Sequence, residues 1–571
     1  MSKIVYEALK TPYVGEMDKN IPWNEYPRPS LVRGSFFCLN GLWDFCISRE
    51  ENVSDYTEKI LVPFPPESIL SGIGRRISRG EFLHYRKKFN IPDGFLKERI
   101  IFHFGAVDTV CDVYLNGQHL CHNEGGYIPF SADGTDLLAD GENELYVRVK
   151  DDLSKIFPYG KQKNKRGGMW YTPVSGIWQT VWAESVPQSY VKKLKITPSV
   201  DSVKIEVFGG KEEKVITLAA TGERFFFKGN EITISPSEKH LWTPETPYLY
   251  NFTLDCGDDR LESYFALREV GITEIGGIKR LTLNGAPYLF NGLLDQGYFP
   301  DGIFLPATKR GYEDDILRAK ALGFNMLRKH IKVEPEIFYN LCDKLGMVVF
   351  QDMVNNSNYS FFFDTALPTV GMKSFPDKLL HRDTRSRKIF EEQMYAEMEH
   401  LHNFPSITYY TVFNEGWGQF CADEMYRRAK SFDPTRIIDA TSGWFTQRHS
   451  DVESLHIYFK PLKLGRNKNR PISISEFGGY SYRVEGHLFG SNNYGYRLFQ
   501  SGKAYEDAII KLYSEEVMPL LEKGVCALVY TQLTDVEDET NGFITYDRRV
   551  IKVNTDRIHA LMTKLYFIYN E

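Results

Sequence analysis

The chain has 571 residues, 42% apolar and 25% charged, with a formal net charge of −6. That length is too great for one ordinary core and sets an expectation of two to four domains. The acidic balance, the want of any long basic run and the want of an apolar stretch of membrane-spanning length exclude a nucleic-acid binder and an integral membrane protein.

The N-terminus, Met1-Ser2-Lys3-Ile4-Val5-Tyr6-Glu7, lacks a charged start followed by an apolar core, so no signal peptide is expected. Residues 1–187 read as an all-β unit, with short runs at 85–89, 100–104, 111–115 and 144–149 and a strong hairpin signal at Asn116-Gly117. The one dense basic stretch, Lys161-Gln162-Lys163-Asn164-Lys165-Arg166, is short, runs into two glycines and reads as a solvated loop. The unit closes with 169–179, whose tryptophans suit a core or a sugar site. Residues 188–274 read as a second, smaller β-sandwich, alternating at 203–207, 231–234 and 250–254. No chemistry is apparent in it, and Trp242 is expected to pack an edge or a turn.

From 275 to 571 the rhythm changes. Strands are expected at 288–294, 324–330, 347–353, 407–415, 437–441, 455–458, 472–476 and 527–533, and the clearest amphipathic helices at 313–322, 335–345, 387–400 and 505–521. Eight strands, mostly alternating with helices, point to a closed (β/α)8 TIM barrel. The rival, an open doubly wound sheet, often carries a glycine-rich phosphate loop, and none is present. The long loop 355–383 holds Phe361-Phe362-Phe363, which suits a lid, a subunit contact or a platform for the leaving group.

Eight scattered cysteines (Cys38, Cys46, Cys111, Cys121, Cys256, Cys342, Cys421 and Cys526) show no zinc-type spacing and read as reduced residues. No cofactor or metal is expected from them, and a cytoplasmic location is the simplest expectation.

Two of the expected barrel strands end in a glutamate, at Asn414-Glu415-Gly416 and at Glu476-Phe477-Gly478-Gly479. Active sites of such barrels lie at the C-terminal strand ends. Two carboxylates facing across that mouth suit glycosidic bond cleavage, one protonating the leaving oxygen and one remaining ionised. The alternative is that one of them belongs to a buried ion pair.

The layout and motifs resemble glycoside hydrolase family 2, the family of β-galactosidases, β-glucuronidases and β-mannosidases. The likeness covers nearly the whole chain. It rests on Tyr171-Thr172-Pro173-Val174-Ser175-Gly176-Ile177-Trp178-Gln179, Gly323-Phe324-Asn325-Met326-Leu327-Arg328, Leu341-Cys342-Asp343-Lys344-Leu345-Gly346 and Asn414-Glu415. The resemblance implies an N-terminal jelly-roll sugar-binding-type β-sandwich, an immunoglobulin-like sandwich and a catalytic barrel. It implies Glu415 as general acid/base, Glu476 as nucleophile, Asn414 on the sugar 2-hydroxyl, and Arg328 and Tyr458 beside the nucleophile. Asp295, His330, Asp352, Trp444, His456 and Gln532, at or just past expected strand ends, are candidates for the sugar pocket. Trp417 suits a hydrophobic wall by Glu415 or a strand cap.

The chain departs from the pattern in places. The β-glucuronidases of that family carry an Asn-x-Lys motif for the sugar carboxylate. Here the matching place reads Glu539-Thr540-Asn541-Gly542, which disfavours a uronate. The third strand ends Asp352-Met353-Val354-Asn355, without the glutamate of the magnesium-dependent β-galactosidases. The expectation is a retaining exo-β-glycosidase for a neutral terminal sugar, β-galactoside first, an arabinopyranoside or galactofuranoside next. The rivals are a carbohydrate-binding protein on an inactive scaffold, a transglycosylase, and a glycosidase of the family acting on another sugar such as a glucuronide. A carbohydrate is the expected partner, and the two β units are expected to shape the barrel mouth or to join subunits of a homo-oligomer.

Overall fold

The computed structural model describes residues 9–95, 97–367, 376–464 and 469–571. The extreme N-terminus and part of the 355–383 loop lie outside the described residues.

The strand Glu142–Lys150 alternates buried and exposed along its length, as a strand with one face on a core must. It lies at the centre of a six-stranded sheet, between Phe82–Asn90 and Val110–Leu115. Asn116 and Gly117 both have positive φ (51° and 77°) and turn Val110–Leu115 into Gln118–Glu124, the backbone a two-residue hairpin needs. A second sheet of four strands, centred on Arg99–Phe104 and Val181–Val186, lies against the first. Trp43, Phe45, Tyr85, Phe102, Phe104, Val113 and Val147 fill the space between. The next unit pairs a three-stranded sheet (Val191–Pro198, Val203–Gly209, Glu231–Ile234) with a four-stranded one (Arg224–Lys228, Glu213–Leu218, Tyr250–Cys256, Asp259–Phe265) over its own small core.

The barrel strands are β1 (Phe290–Asp295), β2 (Met326–Lys329), β3 (Val348–Asp352), β4 (Ile407–Asn414), β5 (Ile437–Ser442), β6 (Glu453–Ile457), β7 (Ile472–Gly478) and β8 (Val525–Thr531). They form one parallel sheet in the order β5-β4-β3-β2-β1-β8-β7-β6. β1, β3, β4, β5, β7 and β8 are buried at every residue, as parallel strands covered on both faces are. No ladder joins β5 to β6 among the described residues. That seam is closed by the Asp451 N–H on the Ile438 carbonyl (3.0 Å) and by Ser442 Oγ, 3.3 Å from Ser454 Oγ and 2.9 Å from His456 Nε2. The expected helix 505–521 begins at Gly502 and passes into a wide π turn at Leu512–Val517 ahead of Pro519. Proline has no N–H to continue the α pattern there. Among the described residues no helix is long and apolar enough to cross a membrane. All eight cysteines are free thiols, and Cys111, Cys256, Cys342 and Cys526 are buried.

Both β units are fastened to the barrel by buried polar groups. Trp242 is not an edge residue. It is fully buried and donates to the Asp343 carbonyl (2.8 Å), while Tyr264 donates to the Asp343 carboxylate (2.7 Å). The apolar indole ring and single N–H of Trp242 let it fill the junction and satisfy a helix-end carbonyl together. Between the two β units, Glu184 accepts from Arg28 (2.9 Å) and Arg33 (3.0 Å) and contacts His103 (3.0 Å), and Arg33 also holds Asp259 (2.8 Å).

Burial alone would push the Glu184 carboxyl up, but Arg28, His103 and Arg33 hold it well below the ordinary carboxylate range. Its contribution to stability is therefore complete above that range and is lost as the pH falls. Glu184→Ala leaves Arg28 without its buried partner and Arg33 with Asp259 alone, and is expected to destabilise the protein by about 3–5 kcal/mol, measured from urea unfolding at neutral pH. The deficit should shrink as the pH is lowered into the acid range.

Candidate active site

The C-terminal ends of the barrel strands bring most of the expected residues into one hydrogen-bonded group. Arg328, in β2, is fully buried and spends its guanidinium on four partners. Nε donates to Asp352 Oδ1 (2.9 Å), Nη1 to the Ser475 carbonyl (2.9 Å) and to Glu476 Oε1 (3.2 Å), and Nη2 to Asn414 Oδ1 (2.9 Å). Asp352, the last residue of β3, is bound from its other oxygen by His330 Nδ1 (2.7 Å). Tyr458, just past β6, donates to the second oxygen of Glu476 (2.6 Å) and lies 2.8 Å from Thr531 Oγ1. Burial pushes the Glu476 carboxyl up, but His456, Arg328 and His330 and the Tyr458 hydroxyl outweigh it and hold the group at about 2. Glu476 is therefore ionised at neutral pH.

Glu415 follows β4 with a positive φ of 53°, a backbone that a non-glycine residue rarely adopts. Its N–H is fixed on the Ser442 carbonyl (2.9 Å), and the next residue, Gly416, also has positive φ and no room for a side chain, since a Cβ would lie 2.3 Å from the Phe445 ring. The Glu415 carboxylate meets His456 Nδ1 at 2.9 Å. His456 Nδ1 is also 3.5 Å from Glu476 Oε2, so the imidazole stands between the two carboxylates. Gly443 makes space for that ring, because a Cβ there would lie 2.4 Å from His456 Cγ. One atom each of Glu415, His456 and Glu476 lie within 4.8 Å of one another. Their donor set would also accept a divalent cation, but such an ion would engage both carboxylates at once.

The remaining expected residues divide. Trp444 lies against His456, with ring centroids 6.4 Å apart. Gln532, just past β8, donates to Glu539 Oε2 (2.8 Å) and Asn541 Oδ1 (2.7 Å) and accepts from Gln296 (3.0 Å), so it positions the segment after β8. Asp295 hydrogen-bonds neither glutamate. It is buried with Lys329 and accepts the Gly297 N–H (2.9 Å), and Lys329 also donates to Glu334 (2.9 Å). Trp417 joins an aromatic wall, 4.8 Å from Trp170, 5.5 Å from Tyr159 and 5.8 Å from Tyr359 between centroids.

Two features of the site were not expected. Tyr496 stacks on Tyr458 at 3.9 Å, parallel to within 13°, and carries no local sequence signal. The basic stretch at 161–166 is a loop solvated at Lys163, Asn164 and Lys165, but its first two residues turn inward. Gln162 is fully buried, bonded to Asp108 (3.2 Å) and Tyr127 (3.1 Å), and Lys161 lines a pocket with Met169, Trp170, Tyr359, Asn414, Glu415 and Trp417. Tyr159, two residues earlier, anchors this loop to the barrel through the Asn355 and Ser357 carbonyls (3.1 and 2.7 Å).

Two family models match the chain. Residues 76–193 match the glycosyl hydrolase 2 galactose-binding domain-like model and residues 279–543 the glycosyl hydrolases family 2 TIM barrel domain. A β-galactosidase of Thermoanaerobacter pseudethanolicus is 26% identical over 295 residues, covering 47% of this chain and 39% of that protein. A β-galactosidase of Halalkalibacterium halodurans is 23% identical over 509 residues, covering 81% of this chain and 47% of that protein. The chain thus spans less than half the length of these curated relatives. Among solved structures, an uncultured Clostridium sp. β-glucuronidase superposes with a TM-score of 0.73 at 18% identity, covering 94% of this chain and 98% of that one. A β-galacturonidase of Eisenbergiella tayi bound to galacturonate superposes with a TM-score of 0.67 at 17% identity, covering 93% and 97%. These two likenesses bear on the fold. With both models matched in order along one chain, and the strand-end motifs assembled into one site, the protein belongs to glycoside hydrolase family 2.

Proposed function

We propose that the protein is a retaining exo-β-glycosidase acting on a neutral terminal sugar, with a β-galactoside the first substrate to test. The observation that carries this reading is the close approach of Glu415 and Glu476, with one oxygen of each inside a 4.8 Å cluster. Retaining glycosidases hold their carboxyl groups about 5–5.5 Å apart, whereas inverting ones leave about 6.5–9.5 Å for a water. In the first step Glu476 attacks the anomeric carbon as the bond to the leaving oxygen breaks, and Glu415 gives that oxygen its proton. In the second step Glu415 takes a proton from water, whose oxygen attacks the anomeric carbon and releases Glu476. Asn414, its amide oxygen committed to Arg328, has its NH2 available for the sugar 2-hydroxyl. Glu539, buried beside the site where the family's uronate reader would stand, supports a neutral glycone.

Glu476→Ala is expected to cut hydrolysis of nitrophenyl β-glycosides by roughly 10,000-fold or more, and azide should restore turnover as an α-glycosyl azide, because it enters from the vacated face. Glu415→Ala is expected to lose roughly 100- to 10,000-fold with leaving groups that need a proton, and azide should there yield the β-azide. Full activity in Glu476→Ala would end the proposal. Sugar binding without turnover in the unmutated protein would favour the binding-protein rival.

Tyr458→Phe removes a hydrogen bond to ionised Glu476, so the carboxyl rises from about 2. The acid limb of kcat/KM should move to higher pH by about one unit, with the alkaline limb unmoved.

A further inference from the structure

The seam between β5 and β6, where no ladder runs among the described residues, is lined by hydroxyls. Ser442 Oγ lies 2.9 Å from Ser475 Oγ and 3.3 Å from Ser454 Oγ, and Ser454 Oγ lies 2.7 Å from Ser475 Oγ. All three serines are buried. A hydroxyl inside a barrel brings little apolar burial and must find its partners there. These three bond one another, the Leu455 carbonyl (3.3 Å from Ser475 Oγ) and His456 Nε2 (2.9 Å from Ser442 Oγ). His456 is thus where the serine cluster meets the site.

That hold aims the imidazole. The His456 side chain is 1% exposed, so its nitrogens depend on protein partners. With Nε2 on Ser442 and the ring backed by Gly443, Nδ1 faces two carboxylates, 2.9 Å from Glu415 Oε1 and 3.5 Å from Glu476 Oε2. An ionised carboxylate only accepts, so the proton is assigned to the nitrogen that faces the pair. The two glutamates are not served equally. Glu476 has Arg328 (3.2 Å) on one oxygen and Tyr458 (2.6 Å) on the other. Among the described residues, the Glu415 carboxylate has a hydrogen-bond donor in His456 alone. Glu415 is also the carboxyl that becomes charged when the leaving oxygen takes its proton. A donor fixed in advance at that place lowers the cost of the charge without anything having to move.

We propose that His456 is a positioning residue for the general acid: its Nδ1–H rests toward Glu476 while Glu415 is protonated and passes to the Glu415 carboxylate as that carboxylate forms, with Ser442, Ser454 and Ser475 holding the ring so that it can. The inference rests on the retaining-glycosidase reading above. The imidazole transfers no proton. The proton of Glu415 goes to the leaving oxygen and returns from water, and the bond between the anomeric carbon and Glu476 forms and breaks as before. The gain is the difference between a long contact to Glu476, which has two other donors, and a short one to Glu415. It is realised in the transition state more than in the resting enzyme. His456 acts through the glutamates and not on the sugar.

The test uses the full chain with His456→Leu, which removes the donor, and His456→Gln, which offers an amide N–H in its place. Both are assayed on two β-glycosides of the sugar that the unmutated protein cleaves. One is a methyl glycoside, whose leaving oxygen needs a proton, and the other a dinitrophenyl glycoside, whose leaving oxygen needs none. On the methyl glycoside His456→Leu should lose roughly 10-fold or more in kcat/KM, as expected for a hydrogen bond to a charged group, and His456→Gln should recover most of it. On the dinitrophenyl glycoside both variants should change little. An equal loss on the two substrates would mean a general distortion of the mouth, and unchanged kinetics on both would mean no role. Either result would overturn the inference and leave the glycosidase reading intact. A second measurement needs no turnover. In protein labelled with 15N-histidine, the His456 signals, identified by their loss in His456→Gln, should show a proton on Nδ1 at neutral pH. A bare Nδ1 would mean that Glu415 donates to the ring, and would overturn the inference. No turnover of any glycoside by the unmutated protein would overturn the glycosidase reading and this one with it.

Discussion

The site depends on one buried guanidinium. Arg328 reaches four groups from three strands, and every one of them is a part of the proposed chemistry or orients a part of it. Removing an arginine from water costs several kcal/mol, which only well-placed acceptors offset. Burial pulls the Arg328 charge down, and Asp352 and Glu476 more than restore it. The planar fork does what a lysine could not: its fixed donors hold three acceptors, the Glu476 carboxylate, the Asn414 amide oxygen and the Asp352 carboxylate, at once. That fixity leaves Glu476 ionised and commits the amide oxygen of Asn414.

The rest of the mouth follows from how the sandwich units are pinned. Asp343 receives Trp242 and Tyr264 from the second sandwich and the Ser406 N–H from the residue just before β4 (2.8 Å). Burial lifts this carboxyl to about 6, and the Ser406 and Tyr264 hydrogen bonds pull against that. On the other side the loop after Tyr159 is sewn to the ends of β3 and β4 by main-chain and aromatic contacts. The barrel alone would present Glu415 on an open rim. With Trp170 and Lys161 in place it faces a walled pocket, where desolvation strengthens each polar contact.

Much of this was legible in the sequence, for a physical reason. The strands of the barrel are largely apolar runs, those ahead of Glu415 and Glu476 stopped by glycine, and the residue that ends such a run is placed by the strand itself. Glu415, Glu476, Asp352 and Asn414 are all read that way. Side chains whose place is set by another unit left no such trace. Lys161 sits in a short basic stretch that looks solvated, and only the buried amide of Gln162 and the docking of Tyr159 turn it inward. Trp242 looked like an edge residue because its partner, the Asp343 carbonyl, lies far along the chain. Asp295 looked like a pocket residue because it ends a strand, but buried Lys329 claims it.

The spacing of the two glutamates makes one claim above the rest: the bond at the anomeric carbon is made and broken twice on the same face. The most direct measurement follows hydrolysis of a β-glycoside by proton NMR and reads the anomer that forms before mutarotation. The expected first product is the β-anomer. An α-anomer appearing first would mean a single displacement by water, and would contradict the assignment of Glu476 as nucleophile.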